Sequence, residues 1–335
     1  PVAFWIVLPP VVLAEGYKVV VENVDGDTQE FAVNKEKTFK RNVYNSLTRE
    51  LTYREDVTMP ANNEIWYTSS DGAVVTPYRS GVFGATIVSN SYADGKGVIT
   101  FDGNVTMIGE GAFYSANSSS PCRKLTTIVI PDSVTTIGDL AFYNCYALTS
   151  VTIPDSVTTI GSNAFSGCCY ALTSITIPDS VTTIGKYAFN SCSALTSVTI
   201  PDSVTTIGEG AFASCSALTS VTIPDSVTTI GEWAFCGCDA LTSVTIGNSV
   251  TTIGEWAFRD CSALTSVTIP DSVTTIGGNA FRDCYALKTV YCKPTTPPSL
   301  GIAVFFGNAS GRKIYVPTAS VSAYKSATNW SEYAS

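Results

Sequence analysis

Apolar and polar residues follow one pattern that repeats along most of the chain. In the copy that opens at Leu148 the pattern is Leu-Thr-Ser-Val-Thr-Ile-Pro-Asp-Ser-Val-Thr-Thr-Ile-Gly, two variable residues, Ala-Phe and, three residues after the Phe, a Cys. Copies begin 23 residues apart, except that the step from Leu148 to Leu172 is 24. A fixed period between about 20 and 50 residues indicates a solenoid in which each copy forms one coil. The leucines that open the copies are Leu125, Leu148, Leu172, Leu195, Leu218, Leu241, Leu264 and Leu287.

Each copy predicts two short strands and a corner. The Leu-x-x-Val-x-Ile segment is too short and too rich in β-branched residues for a helix, so we expect a strand that pairs in parallel with its copy one coil away. Pro154 turns the chain because it cannot donate a hydrogen bond to a sheet. Residues 157–160 predict a second strand, which Gly161 ends. Residues 162–168 predict one or two helical turns, in which the small Ala164 lets the next coil approach.

The copies between residues 125 and 287 resemble the BspA-like leucine-rich repeat family, whose pattern is L-x-x-[VI]-x-I-P-x-x-V-x-x-I-G-x-x-A-F-x-x-C. A degenerate copy precedes them at residues 98–113. The resemblance implies a mainly β fold with short helical turns: a right-handed leucine-rich repeat solenoid with a β N-terminal region and a capped C-terminus. It also implies a non-enzymatic cell-surface adhesin or binding scaffold that presents its repeats to a host matrix protein, a glycan or another bacterial surface. The alternative is a structural subunit or tip component of a surface filament.

The N-terminal region has a different pattern. Residues 1–14 are apolar but shorter than the roughly 20 residues that span a bilayer, so they predict no transmembrane segment. Residues 17–23 and 28–33 predict a hairpin. This opening resembles the closing strands of fimbrillin-like β-sandwich domains. The resemblance implies a fragment of a longer cell-surface or extracellular protein, anchored by a segment upstream. Because open sheet edges pair readily with other strands, self-association through residues 1–50 is a hypothesis.

These patterns divide the chain into four predicted parts. In the second part, residues 64–78 predict a hairpin around Asp71 and Gly72, and residues 82–87 predict one more strand. The four parts are a fimbrillin-like β remnant (1–54), an N-terminal cap of the solenoid (55–97), the leucine-rich repeat solenoid (98–310) and a C-terminal cap with a strand and a short helix (311–335).

Composition narrows the range of functions. The chain has 335 residues, a formal net charge of −9 and no histidine. Nucleic-acid binding requires a basic surface, which this charge argues against. Without histidine there is no Ser-His or Cys-His nucleophile pair and no imidazole metal ligand. We therefore predict that the protein is not an enzyme and has no cofactor; a glycan hydrolase with paired carboxylates is the weakest alternative, because nothing in the sequence sets two carboxyl pKa values apart.

Eleven cysteines are present, and most of them follow the repeat. A periodic position after the corner Phe indicates small, buried, reduced side chains rather than a disulfide framework or a zinc site. Some disulfide formation stays open as an alternative, and Cys122 and Cys292, outside the column, are the least predictable. The cysteines in the column are Cys145, Cys168, Cys192, Cys215, Cys238, Cys261 and Cys284.

Positions at which the copies differ are candidates for binding a partner. Trp233 and Trp256 lie two residues before the corner Phe in consecutive copies, which predicts an exposed aromatic pair. Tyr187 is on the same column two coils away, and Gly210 is expected to leave a gap between them. Exposed tryptophans often mark contact sites, although these rings can also simply cover neighbouring coils.

Charged and hydroxyl side chains also form columns. Arg259 and Arg282 are each followed by Asp, and they are either part of the binding surface or members of local ion pairs. With the three aromatic residues they complete the candidate partner-binding set. Outward threonines are explained by β-propensity rather than by ice binding. A column of turn aspartates is compatible with calcium but is better explained by capping of each turn: Asp132, Asp155, Asp179, Asp202, Asp225 and Asp271.

Overall fold

The computed structural model describes residues 59–168 and 171–333, and before them the backbone of four short strands. The chain forms two compact units, Pro1–Pro60 and Ala61–Ser335. The second unit is built almost entirely from short parallel strands and turns. The predicted fold class, a mainly β solenoid, is confirmed there.

Two antiparallel strand pairs are described in the first unit. Tyr17–Glu22 pairs with Thr28–Val33, which confirms the predicted hairpin. Val12–Leu13 pairs with Lys37–Thr38. The rest of residues 1–54, on which the fimbrillin-like resemblance and the predicted self-association depend, lies outside the described residues.

Each coil of the second unit has three sides, and the first side is the predicted Leu-x-x-Val-x-Ile strand. In one coil Val151 lies opposite Ile128 of the preceding copy in a parallel pair. Because equivalent residues face each other, buried side chains such as Val151 form columns through the core while Ser150 points outward. The strands of this side are Leu125–Val129, Ser150–Thr152, Ser174–Thr176, Ser197–Thr199, Ser220–Thr222, Ser243–Thr245, Ser266–Ile269, Thr289–Cys292 and Lys313–Tyr315.

The second side is a two-residue strand, usually Thr-Ile, and its copies form one parallel sheet of nine strands within the described residues. Thr159 lies opposite Thr183, and Ile160 lies opposite Ile184. The second predicted strand is thus confirmed, although it is shorter than residues 157–160. Its copies are Met107–Ile108, Thr136–Ile137, Thr159–Ile160, Thr183–Ile184, Thr206–Ile207, Thr229–Ile230, Thr252–Ile253, Thr275–Ile276 and Ser299–Leu300.

The third side is a run of hydrogen-bonded turns, where the sequence predicted helical turns. Phe165 N donates to Ala188 O of the next coil at 2.8 Å, whereas Ala164 N donates to Gly161 O of its own coil at 3.4 Å. Asn163 has a φ of 54°, in the left-handed region. A helix cannot include such a residue, and here alternate amides bond to the neighbouring coil instead of along a helix axis.

Phenylalanine rings stack through the centre of the coils. Between Phe113 and Phe305, consecutive ring centroids are 5.1 to 5.8 Å apart and the rings are within 13° of parallel. All of these rings are buried. Each stacked pair contributes about 0.5–1.5 kcal/mol beyond the burial of its area, so the corner Phe of one coil stabilises both neighbours.

The predicted cysteine column is buried beside these rings. Cys238 Sγ donates to Phe212 O of the preceding coil at 3.3 Å, and the other column members repeat this bond. Cys169 lies outside the described residues, and Cys236 is partly exposed. The thiols that are free are those of Cys122, Cys145, Cys215, Cys236, Cys238, Cys261, Cys284 and Cys292.

The N-terminal cap differs from the expectation for residues 64–87. Glu64–Ser69 does not form a hairpin around Asp71 and Gly72, but lies antiparallel between Lys96–Phe101 and the first repeat strand. The hairpin forms later, where Ile87–Ala93 pairs with Lys96–Phe101. Its two-residue turn has φ values of 51° and 78°, as tight hairpins require. Asp71-Gly72 and Asp94-Gly95 both have a sequence that suits such a turn. The hairpin forms at Asp94-Gly95 because the strands on either side of that pair bond to each other.

The C-terminal end has the expected strand and short helix. The strand Lys313–Tyr315 pairs with the last regular coil. Trp330 Nε1 donates to Pro298 O at 2.8 Å and Tyr324 OH donates to Pro294 O at 2.8 Å, so two buried aromatic side chains cover the final coil. The helical segments of the second unit are the 3₁₀ turns Pro121–Lys124, Thr318–Ser320 and Ser331–Tyr333 and the α-helix Val321–Ser326.

Candidate binding surface

Two tryptophans on the third side form the centre of the candidate surface. The rings of Trp233 and Trp256 stack with centroids 5.0 Å apart and planes within 8°. Trp233 N donates to Glu255 O of the next coil at 2.9 Å, so the inter-coil backbone bonds set the ring spacing. Both residues are half-buried. The structure therefore brings these two predicted residues together and leaves part of each ring at the surface.

The backbone at this position is left-handed in every coil. Trp233 and Trp256 both have a φ of 59°. Glycine and asparagine adopt this conformation readily, whereas a bulky side chain there is strained. Gly or Asn occupies this position in four of the coils, whereas Leu140, Tyr187 and Ala303 share the strained conformation with the two tryptophans. The equivalent residues are Gly111, Leu140, Asn163, Tyr187, Gly210, Trp233, Trp256, Asn279 and Ala303.

Tyr187 closes the gap that was expected at Gly210. Its ring lies against Gly210, over the position that a side chain would occupy. Its hydroxyl donates to Glu209 Oε1 at 2.8 Å, while Lys186 Nζ donates to Glu209 Oε2 at 2.9 Å. These bonds from Lys186 and Tyr187 lower the pKa of the Glu209 carboxyl. The bond to Glu209 raises the pKa of Tyr187.

The two predicted arginines occupy different surroundings. The Arg259 guanidinium lies 4.6 Å from the Trp256 ring centroid, and its Nε is 3.2 Å from Asp260 Oδ2. The Arg282 guanidinium lies 4.9 Å from the exposed Phe306 ring, with its Nε 3.1 Å from Asp283 Oδ2. The expected local ion pairs are therefore present. Arg259 also joins the tryptophans, and we call Tyr187, Trp233, Trp256 and Arg259 the aromatic strip.

A column of glutamates runs beside the aromatic strip, and the sequence interpretation missed it. Glu232 and Glu255 are exposed and directly precede the two tryptophans, and Glu209 occupies the same position one coil earlier. We call these three residues the glutamate column. The sequence signal that could have predicted this column is the Glu-Trp pair, which recurs in two consecutive copies.

Residues 116–241 and 206–330 match the family model described as the BspA type leucine-rich repeat region, in six copies. The matched residues cover more than half of the chain. The chain belongs to the BspA-type leucine-rich repeat family. Members of this family are generally non-enzymatic scaffolds that bind protein ligands, and membership indicates a location at the cell surface.

One solved structure agrees with this BspA-type assignment, and a second is similar in sequence. A leucine-rich repeat protein from Bacteroides ovatus is 31% identical with a TM-score of 0.51, over 68% of this chain and 61% of that one. A leucine rich cell surface protein from Faecalibacterium prausnitzii is 33% identical with a TM-score of 0.38, over 58% of this chain and 61% of that one. The BspA-type chain thus spans less than two thirds of both relatives. No curated protein matches it.

An open trough of about 790 Å³ lies beside the aromatic strip on the BspA-type repeats. Asp239, Asp260 and the exposed Tyr285 line it together with serines of three coils. Ser262 Oγ donates to Asp239 O of the preceding coil at 3.2 Å, which links the coils along the trough. The trough is open to solvent and lined mainly by serines and aspartates, unlike the enclosed apolar cleft of a typical small-molecule site.

The hydroxyl columns of the BspA-type repeats hold neighbouring coils together, and one turn aspartate, Asp225, adds a bond of the same kind. Thr149 Oγ1 donates to Thr126 O at 2.9 Å, and Ser156 Oγ donates to Val134 O at 2.6 Å. Asp225 Oδ1 accepts the Asn248 N–H at 2.6 Å. Within the described ranges, no three His, Cys, Asp or Glu side chains are placed to hold a metal ion, and no helix there is both long and apolar enough to cross a membrane.

Proposed function

We propose that this BspA-type protein is a cell-surface adhesin whose aromatic strip contacts a host matrix protein, a glycan or another bacterial surface. The observation that carries the proposal is the stacked pair of Trp233 and Trp256. Tryptophan is enriched where binding energy concentrates in interfaces. A half-exposed pair of such rings, repeated in consecutive coils, supports a contact site.

The backbone conformation of the pair supports the same proposal. Strained residues of this kind cost on the order of 1–3 kcal/mol each and concentrate at functional sites. Stacking offsets part of that cost, since an aromatic pair contributes about 0.5–1.5 kcal/mol. Gly or Asn at both positions would avoid the strain, but Leu140 and Ala303 carry it too, so the strain supports a contact site here together with the size and partial exposure of the two rings.

The chemistry of the thiols supports a non-enzymatic role. Cys236 is the partly exposed thiol of the described region, and burial raises its pKa to about 11. A thiol with that pKa is protonated at neutral pH and is a poor nucleophile. The chain also has no histidine that would serve as its general base.

The test is a binding screen of immobilised matrix proteins, glycans and whole bacterial cells against the wild type and the Trp233→Ala/Trp256→Ala variant. We expect the variant to bind at least about tenfold more weakly to any surface that the wild type recognises, since a single hot-spot tryptophan contributes about 2 kcal/mol or more. The matched control is Tyr291→Ala/Tyr315→Ala, which removes a second stacked, exposed aromatic pair with centroids 5.2 Å apart.

The control variant should bind as the wild type does. Equal binding by the wild type and by the tryptophan variant would refute the assignment of the aromatic strip. Loss of stability in the tryptophan variant without loss of binding would show that the rings only cover neighbouring coils.

A further inference from the structure

Two of the three carboxylates of the glutamate column form no ion pair with the described residues. Glu232 and Glu255 are exposed and occupy equivalent positions in consecutive coils, which lie about 4.8 Å apart. Among the ion pairs of the described region, Glu209 is paired with Lys186, but Glu232 and Glu255 belong to none. The two carboxylates therefore repel each other at the surface, directly beside the stacked tryptophans.

Lys186 shows how a cation fits this column. It lies one coil before Glu209 at the same repeat position, and its Nζ reaches Glu209 Oε2 at 2.9 Å. At the next two steps of the column the preceding residue is again a glutamate, so the repeats themselves supply no cation to Glu232 or Glu255. The carboxylates of Glu232 and Glu255 can therefore accept a cation from another molecule, as Glu209 accepts Lys186.

Arg259 shows that the adjacent rings accept a cation as well. Its guanidinium lies 4.6 Å from the Trp256 ring centroid, within the distance at which a cation is attracted to an aromatic face. Carboxylates and tryptophan rings one residue apart thus place two kinds of cation-binding group side by side. Lysine and arginine side chains, with an apolar stem and a charged end, satisfy both kinds together.

Resting on the proposed function, we propose that the aromatic strip and the glutamate column dock a lysine- or arginine-rich segment of a partner protein. The basic side chains lie between the carboxylates of Glu232 and Glu255 while their stems contact Trp233 and Trp256. The formal net charge of −9 attracts such a segment over longer distances and disfavours acidic partners. An uncharged glycan makes no use of the unpaired carboxylates.

The test measures binding of dye-labelled oligolysine and oligoarginine peptides by fluorescence anisotropy, with an oligoglutamate peptide for comparison. The wild type should bind both basic peptides and not the acidic one, and binding should weaken as salt shortens the Debye length from about 30 Å at 0.01 M to about 3 Å at 1 M. In Glu232→Gln/Glu255→Gln we expect about tenfold weaker binding, from two lost charge contacts.

The matched control is Asp179→Asn/Asp202→Asn. It removes the same net charge from two exposed carboxylates in consecutive coils, but on the turns rather than beside the tryptophans. This variant should keep binding within about twofold of the wild type, because an exposed, distant charge contributes little. Equal weakening in both variants would overturn the proposal, since net charge alone would then explain the binding.

The outcomes also separate this inference from the proposed function. If a matrix protein or glycan binds through Trp233 and Trp256, but Glu232→Gln/Glu255→Gln binds it unchanged and the basic peptides do not bind, the partner is not basic and only this inference fails. If the tryptophan variant binds every surface as the wild type does, both fail.

Discussion

At the scale of single residues, the tightest constraint is the glycine that follows the Thr-Ile strand of each coil. A side chain at Gly231 would meet the Gly208 carbonyl carbon at 2.7 Å and the Glu209 amide nitrogen at 2.8 Å, both backbone atoms of the preceding coil. Glycines at this position therefore let the backbones of neighbouring coils touch. On the same third side, the two residues before each Ala-Phe pair vary from coil to coil.

We expect Gly231→Ala to lower the free energy of unfolding by about 1–3 kcal/mol, since two backbones must separate to admit one methyl group. Chemical denaturation in urea measures the effect. The control is Gly81→Ala, where an added methyl group meets nothing within 4 Å and φ is not positive. That substitution should leave stability unchanged or raise it by up to about 1 kcal/mol. Similar losses in both variants would contradict the close backbone contact.

At the scale of elements, the cysteine column acts as a stack of protonated donors between coils. Burial raises the pKa of Cys215, Cys238 and Cys261 well above the usual value. Near the C-terminal end it raises the pKa of Cys284 and Cys292 to about 12. Each column thiol donates its proton to a phenylalanine carbonyl of the preceding coil, so the folded state requires the neutral form.

This column predicts a loss of stability at alkaline pH. Unfolded thiols ionise near pH 9, whereas Cys284 and Cys292 keep their protons to about pH 12 and the pKa values of the other column thiols are also raised. Above pH 9 the unfolded state therefore binds fewer protons, and ionisation favours it. Each buried thiol then lowers the free energy of unfolding by about 1.4 kcal/mol per pH unit. Urea titrations from pH 7 to about pH 10 measure the slope, which should be shallower in Cys215→Ala/Cys238→Ala. A flat profile in the wild type would disprove this role of the column.

At the scale of the whole solenoid, stability depends on contacts between neighbouring coils. Each strand pairs with its copies one period away, and each corner Phe stacks on the next. Proteins of this architecture behave as rows of units that interact with their nearest neighbours. One coil can therefore be removed without changing the surroundings of distant coils, provided that the register of the columns is kept.

Deleting residues 218–240 removes one 23-residue period and joins Ala217 to Leu241 in register. We expect a folded protein with a lower urea m-value, because less surface becomes exposed on unfolding. The control deletes residues 218–228 only, which places Thr229, Glu232 and Ser249 at the Leu, first Val and Cys positions of the core and should abolish folding. Circular dichroism and size-exclusion chromatography distinguish the two results. Equal disruption by both deletions would contradict the nearest-neighbour description.

A feature could be predicted from the sequence when the residues that form it are copies of one another at a fixed spacing. The Val151 strand, the Phe165 stack and the Cys168 column were predictable, because a residue's neighbours in a solenoid are its own copies. The pairing of Glu64–Ser69 was not, since this strand has no copy and its partners lie elsewhere in the chain. The aromatic pair of the candidate site was foreseen from spacing alone, but the closure of the gap at Gly210 required the direction of the Tyr187 ring.

The sequence by itself determined the period, the fold class, the buried columns and the position of Trp233 and Trp256, because a side chain repeated at a fixed interval meets its own copy in the next coil. The tertiary structure decided the left-handed turns of the third side, the order of the N-terminal strands and the closure of the gap at Gly210 by the Tyr187 ring. These features depend on which amides and side chains of one segment contact those of another segment. The conformational preferences of nearby residues do not specify those contacts.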